Sequence, residues 1–375
     1  MNNPIIGWDV GGAHLKAALL DGDGTLQKVV QVPCALWRDL SELETAIDKV
    51  LNTFNSRASA HAITMTGELV DLFANRQAGV QAISTVMDAK LTGSKRFYAG
   101  ALECGFVTLD QVAQHWQHIA SANWLASASY AGLQLQQLQK APHALLIDIG
   151  STTSDFVLLQ NNQAACIGFT DASRMQTEEL VYTGVVRTPL MAIAQKVKFG
   201  EATTSVAAEY FATTADVYRL TGDLSAVDDM ADTADGQDKT QMASARRIAR
   251  MIGHDVDDAP LAAWVALAQE FKAQQLARLQ AVAKRHIERI NHNIGNHQSQ
   301  DVAVIGAGAG AFLVKEIAHA MNLPFVDSAE LIAMNLSASC TMHTETGHWA
   351  SVCLPAYAVA YLAYNQVPYN QAKNK

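Results

Sequence analysis

Short, almost wholly apolar runs recur along the chain, each cut by a turn rich in glycine or aspartate. In PIIGWDVGGAHLKAALLDGDGTLQKVVQVP, residues 4–33, three such runs are separated by Gly11-Gly12 and by the Asp21–Gly24 stretch DGDG. That pattern predicts strand, tight turn, strand, turn, strand. From Leu40 to Phe54 the apolar positions switch to helical spacing, with Ser41 as N-cap and Glu44 three residues on. AHAITMTGEL (60–69) reads as a strand entering a loop or helix start, and Leu109–Gln139 as one helix ending before Pro142.

The opening pattern then returns. HALLIDIGSTTSDFVLLQNNQAACIGF (143–169) is again a buried run, an acid, a turn, a second run, a polar turn and a third run. Laying 5–24 beside 144–163 places Asp9 on Asp148, Gly11 on Gly150 and Gly12 on Ser151. After Ser173 the pattern turns helical and polar, and the Asp-rich stretch 223–241 predicts a solvated loop. A long helix follows from Leu261 to about Asn293. QDVAVIGAGAG (300–310) gives a strand and a glycine loop, FLVKEIAHAM a helix, LPFVDS a short strand and WASVCLPAYAVAYLAYN an apolar helix.

The repeat carries the candidate chemistry. An Asp at the end of a buried strand, before a tight turn, sets a carboxylate at a sheet edge where turn N–H groups can cradle phosphate oxygens. Gly11, Gly12 and Gly150 permit close approach, and Ser151, Thr152 and Thr153 add hydroxyls. Asp9 and Asp148 would hold Mg²⁺ largely through water, since that ion keeps much of its hydration shell. Lys16 offers a point charge to an anion. Asp155 either orients Mg²⁺-bound water or bonds its own loop. The loop of Gly306, Gly308 and Gly310 is a poor dinucleotide fingerprint, lacking its last spacing; it is a phosphate- or nucleotide-side loop or a packing turn. Glu68 can pair with a substrate ammonium, accept a proton, or simply begin a helix, as can Asp71. Arg187 is either a bidentate anion clamp or a surface arginine. His115 and His118 fit an exposed polar face.

Composition narrows the class. A chain of 375 residues predicts two domains, and a net charge of −9 argues against a nucleic-acid partner. The five cysteines, Cys34, Cys104, Cys166, Cys340 and Cys353, form no CxxC pair and predict reduced cytoplasmic thiols. The first residues, MNNPIIGWDVGG, carry no secretory signal, and the longest apolar stretch, Leu354–Ala363, is too short for a membrane span.

The two acid-tipped hairpins and the late glycine loop resemble the superfamily of sugar kinases, actin and heat-shock ATPases. That resemblance implies an α/β, duplicated actin-like (ribonuclease H-like) ATPase fold of two domains with an interdomain cleft. Domain I would hold residues 1–140 plus about 345–375, and domain II residues 141–344. GWDVGGAHLKAA, TMTGELVDLF, LLIDIGSTTSDF, LVYTGVVRTPL, YFATTADVYRLTGD and ARRIARMIG further resemble a short branch of the hydantoinase/oxoprolinase relatives, tied to tetrahydromethanopterin-linked one-carbon metabolism. Its archaeal members are similar to the furanmethanamine synthases of methanofuran biosynthesis. The resemblance implies a transferase joining an aminomethyl-furan-methyl diphosphate to a phenol oxygen, with release of diphosphate. Asp9, Lys16, Glu68, Asp148 and Arg187 would be catalytic, with Mg²⁺ on Asp9, Asp148 and Asp155, and TADG (233–236) would serve as a lid. The partners would be the small-molecule diphosphate and a phenolic acceptor, with no nucleic acid and no membrane; assembly as a homo-oligomer is left open. The alternatives are an ATP-dependent kinase or cyclic-amide hydrolase, and a non-catalytic nucleotide-sensing protein.

Overall fold

β1 (Ile5–Val10) is buried along its whole length, as a strand covered on both faces must be. The computed structural model describes residues 3–55, 58, 60–102, 104–294, 302–333 and 344–365. Cys340 and residues 366–375 of the returning segment lie outside them. Along the chain follow β2 (His14–Leu20), β3 (Leu26–Pro33), α1 (Ser41–Phe54), β4 (Ala60–Met65), α2 (Arg76–Lys90), β5 (Ser94–Tyr98), β6 (Phe106–Val107), α3 (Leu109–Ile119) and α4 (Asn123–Gln137). Next come β7 (His143–Ile149), β8 (Ser154–Gln160), β9 (Gln163–Ala164), α5 (Asp171–Gln176), β10 (Leu180–Val181), β11 (Lys196–Phe199), β12 (Ala202–Ser205), α6 (Thr214–Thr221) and α7 (Gln241–Arg250). The rest is α8 (Leu261–Ile294), β13 (Val302–Ala307), α9 (Ala311–Ala320), β14 (Phe325–Asp327), α10 (Ser328–Ala333), α11 (Thr344–Val352) and α12 (Leu354–Tyr364).

The sheets make the duplication explicit. The first runs β3-β2-β1-β4-β5-β6, and the second β10-β8-β7-β13-β14 with β9 also on β8. A buried strand, its hairpin partner, and two later strands on the other side recur in the same order. This is the duplicated α/β architecture that the superfamily resemblance implies. Among the described residues each sheet has six strands, because β6 extends the first and both β9 and β10 pair with β8.

The chain forms two compact units: Met1–Ala144 with Val157–Thr177 and Asp327–Lys375, and Leu145–Phe156 with Glu178–Val326. In the first unit, alternation along β1 sends Ile6, Trp8 and Val10 into a core with Leu43, Ile47, Val80, Ile83 and Val112. Gly7, on the other face, lies directly against the Ala356 carbonyl of α12. Asp9 shares that face. Each fully buried aliphatic chain here contributes about 1.5–3 kcal/mol.

Several local expectations fail for identifiable reasons. Ser41 does not cap α1; its N–H instead bonds Asp39 Oδ1, so the aspartate ends the preceding turn. The run 109–139 is two helices, because Ala120 bridges to Met65 of β4 and Ser121 turns left-handed at φ 49°. The apolar C-terminal stretch likewise divides at Cys353, with Pro355 in the first turn of α12, where a missing N–H costs no helix bond. The segment after Ser173 is mostly short strands and turns. The Asp-rich loop is not simply solvated: Asp229 is gripped by Arg219 at 2.6 and 2.7 Å, and Asp235 by Arg247 at 2.9 Å. Fully buried Asp216 anchors both arginines at 2.8 Å. These pairs override the burial of Asp229 and Asp235 and hold both carboxyls below their ordinary range.

Candidate functional site

In the first unit, the antiparallel register of β1 and β2 sets Asp9 opposite Lys16, and the parallel register with β4 sets it beside Thr64. Asp9 is buried at 4% exposure. The turn beyond it closes with the Gly11 N–H donating to the His14 carbonyl at 3.0 Å. Leu36 and Cys34 donate to the carbonyls of Gly12 and Ala13, at 3.2 and 2.9 Å, so the strand leaving β3 pins the turn. Lys16 Nζ donates to the Val352 carbonyl of α11 at 2.9 Å.

Because Thr66 N–H bonds the Val10 carbonyl at 2.9 Å, the chain leaving β4 passes beside this turn, and Gly67 packs against it. Glu68 therefore lies in the same unit as Asp9, close to the turn, in the single 3₁₀ turn Gly67–Leu69. Asp71, exposed and outside any helix, is not its helical neighbour. Glu68 is buried at 1% exposure. Its Oε1 accepts from Ser121 Oγ at 2.7 Å and Arg76 Nη2 at 3.0 Å, and Oε2 is buried with no partner among the described residues. Burial raises its carboxyl above the ordinary range, against the pull of Ser121 and Arg76.

In the second unit, the second turn closes the same way, Gly150 N–H to the Thr153 carbonyl at 2.9 Å. The Ser151 and Thr152 hydroxyls lie 3.3 Å apart, both partly exposed. The chain leaving β10 supports this turn, as the chain leaving β3 supports the first. Val185 donates to the Gly150 carbonyl at 3.1 Å, and Val186 and Arg187 to that of Ser151 at 3.1 and 2.8 Å. Arg187 is thus brought to the turn by its backbone, with an exposed side chain. Gly184 must be glycine here, since a Cβ would sit 2.5 Å from Ser151 and Thr152 backbone atoms. Gln275 of α8 braces the segment, donating to Thr183 Oγ1 at 2.9 Å and the Gly184 carbonyl at 3.0 Å, and Tyr218 donates to Gln275 at 2.6 Å.

The late glycine loop joins this second group. The Gly310 N–H donates to the Ile149 carbonyl at 2.8 Å, and Gly308, at φ 80°, leaves no room for a Cβ beside Asp148 Oδ1. Gly306 lies on β13 against Phe325. Asp155 pairs with Leu180 on β10. Asp148, Gly150–Thr153, Gly308, Gly310 and Arg187 thus converge in the second unit, and Asp9, Gly11, Gly12, Lys16 and Glu68 in the first. Sequence reasoning missed Ser121, Arg76, Thr183, Gly184 and Gln275. Only Gly184 left a trace, as the glycine of YTGVVRTP. Among the described residues no three His, Cys, Asp or Glu side chains cluster as metal ligands, and no helix is long and apolar enough to cross a membrane.

The sequence pattern of the hydantoinase/oxoprolinase family matches residues 59–342. A (4-{4-[2-(gamma-L-glutamylamino)ethyl]phenoxymethyl}furan-2-yl)methanamine synthase of Methanocaldococcus jannaschii is 28% identical over 251 residues, 67% of this chain and 72% of that one. The protein of the same name from Methanococcus vannielii is 34% identical over 115 residues, 31% of this chain and 51% of that one. Among solved structures, the (R)-2-hydroxyglutaryl-CoA dehydratase component A of Acidaminococcus fermentans is similar over 97% of this chain and 98% of its own. It has 11% identity and a TM-score of 0.42.

Proposed function

The chain belongs to the hydantoinase/oxoprolinase family, and from that premise we propose that it is an ether-forming transferase. It joins an aminomethyl-furan-methyl diphosphate to the phenol oxygen of a glutamylated tyramine or tyrosine and releases diphosphate, in methanofuran-type cofactor biosynthesis linked to tetrahydromethanopterin. The observation that carries this is the 28% identity to a furanmethanamine synthase across most of both chains. The kinase and cyclic-amide hydrolase alternatives have no such relative behind them. A cytoplasmic location is part of this reading, supported by cysteines scattered along the sequence with no CxxC pair.

The chemistry suits the side chains. A furan-methyl diphosphate ionises readily because the furan stabilises the developing cation, so the protein's task is to neutralise diphosphate and orient the phenol. Each glycine turn offers backbone donors beside a carboxylate, and the second adds Ser151, Thr152 and Thr153 hydroxyls with Arg187 alongside. Asp9, Asp148 and Asp155 are hard oxygen donors, and because no three acids among the described residues gather as one ligand cluster, Mg²⁺ would be held by one or two of them, with phosphate and water completing its shell. The ion would supply charge neutralisation to the leaving group. Lys16 adds positive charge on β2, and Glu68 a carboxylate for the phenol proton or the substrate ammonium.

The test is direct. Purified protein is given synthetic furan-methyl diphosphate with several phenols, and separately ATP. Ether and diphosphate appearing together, with no ADP from ATP, is the expected result. ADP release without ether would replace this proposal with the kinase or hydrolase.

A further inference from the structure

Arg76 and Ser121 both act on a single atom of Glu68. Arg76 Nη2 reaches Oε1 at 3.0 Å and Ser121 Oγ at 2.8 Å, while Ser121 Oγ reaches Oε1 at 2.7 Å. The three groups close a triangle on one oxygen. Oε2, equally buried, is left without a partner among the described residues. A buried carboxylate oxygen with unfilled lone pairs costs free energy unless a ligand fills them.

The backbone goes to some trouble to build this triangle. Ser121 reaches Glu68 only because the chain breaks between α3 and α4, with Ala120 bridged to Met65 and Ser121 in the left-handed region. A non-glycine residue held there is strained and tends to mark a working site. Arg76 is steadied from a third segment by Asp171 of α5, at 3.5 Å. The same two segments also carry aromatic surface. Trp124 lies three residues beyond Ser121, under the Arg174 guanidinium at 3.9 Å, and near Phe169, which is half exposed. Of these rings, Phe169 is the one open to an aromatic acceptor.

We infer that Arg76 and Ser121 are positioning residues that fix Glu68 through Oε1, so that Oε2 takes the phenol proton as the ether bond forms. This rests on the transferase reading above. The step balances. The methylene–oxygen bond of the diphosphate ester breaks, and its electron pair leaves with diphosphate. A phenol oxygen lone pair forms the new methylene–oxygen bond. The phenolic proton passes to Glu68 Oε2 and then to solvent. The charged groups in play are few: Arg76 from α2 acts on Glu68, and Asp171 from α5 acts on Arg76.

The experiment uses the full chain with furan-methyl diphosphate and a series of phenols. If the wild type makes no ether, the transferase reading falls and this inference with it. Given turnover, Glu68→Gln is expected to lower kcat/KM by roughly 100-fold or more for an ordinary phenol, the scale of general-base catalysis. The loss should shrink steeply with acidic phenols already ionised at the assay pH. Arg76→Gln removes a cation, and Ser121→Gly removes the hydroxyl while tolerating the left-handed backbone. Each should move the rising limb of the pH–kcat/KM profile to higher pH, with KM for the diphosphate unchanged and melting temperature checked alongside. Limbs superimposed on the wild type, or no rescue of Glu68→Gln by acidic phenols, would overturn the assignment and leave the transferase reading standing.

Discussion

The two acid-tipped hairpins close with the same bond, Gly11 N–H to His14 and Gly150 N–H to Thr153, and are held from equivalent strand ends, yet by different residues. The first is tied by Cys34 and Leu36 beyond β3 and by Thr66 beyond β4, and α11 takes the Lys16 ammonium. The second is tied from the same two places by other residues: Thr183–Arg187 beyond β10, and the late glycine loop beyond β13, whose Gly310 N–H bonds Ile149 as Thr66 N–H bonds Val10. Aligned position by position, Lys16 of the first copy is replaced by Asp155 in the second, and Gly12 by Ser151. One copy therefore carries a cation beside its acid, and the other carries hydroxyls and a second acid. Duplication preserved the closure of the turn and let the charge around it diverge.

If both turns meet the diphosphate, both acids matter. Asp148→Asn and Asp9→Asn should each lower kcat/KM for ether formation by roughly 100- to 1000-fold, the cost of losing a preorganised electrostatic contact. Steady-state kinetics decides. A loss confined to Asp148→Asn would show that the first copy kept the shape without the task.

Next in size is the support itself. Gly308→Val should destabilise the protein by about 3 kcal/mol, from a branched residue at φ 80° and from its clash with Asp148. Thermal denaturation should show the second unit's transition fall by about 10 °C. An unchanged melting temperature would mean that the late loop does not hold the second turn.

The repeat was legible because the same residue types had to recur wherever the turn recurs: apolar run, acid, glycine, second run. Ser121 was not legible. No glycine or proline marks the break in 109–139, which a tertiary bridge to Met65 imposes. Gln275 was hidden in the same way, a polar residue on a long helix whose partners are 57 and 92 positions away. The Asp-rich loop misled because its compensating charges, Arg219 and Arg247, stand outside it in sequence. Local chemistry was readable, and long-range compensation was not.

The copies also differ beneath the acid. Trp8 of β1 donates to His61 Nδ1 at 3.2 Å, whereas the second copy has Ile147 at that place. Burial lowers His61 to about 4. A folded-state value depressed below the ordinary one means that stability present above about pH 6.5 is lost as pH falls toward 4, by roughly 2–3 kcal/mol. Urea denaturation across that range should give a shallower decline for His61→Gln than for the wild type. Parallel curves would mean that His61 charges freely in the folded protein.

The smallest effect tests whether the glycines of the two turns are equivalent. Ser151 stands where the first copy has Gly12, so Gly12→Ser transplants the second turn's residue into the first. Gly12 is not in the left-handed region, and an added Cβ would meet only the Val70 Cγ1 methyl, at 2.7 Å. Val70 is half-buried against the core and stiff at its branched Cβ, so its methyl must shift and the cost should be about 1 kcal/mol. Val70→Ala in the same chain should remove most of what cost there is, which separates crowding from backbone strain. Activity should survive if, as proposed, the second turn presents its Ser151 hydroxyl to the same anion. A large loss of kcat/KM with the melting temperature unchanged would instead place the ligand's own atoms against Gly12, in the space a side chain would fill.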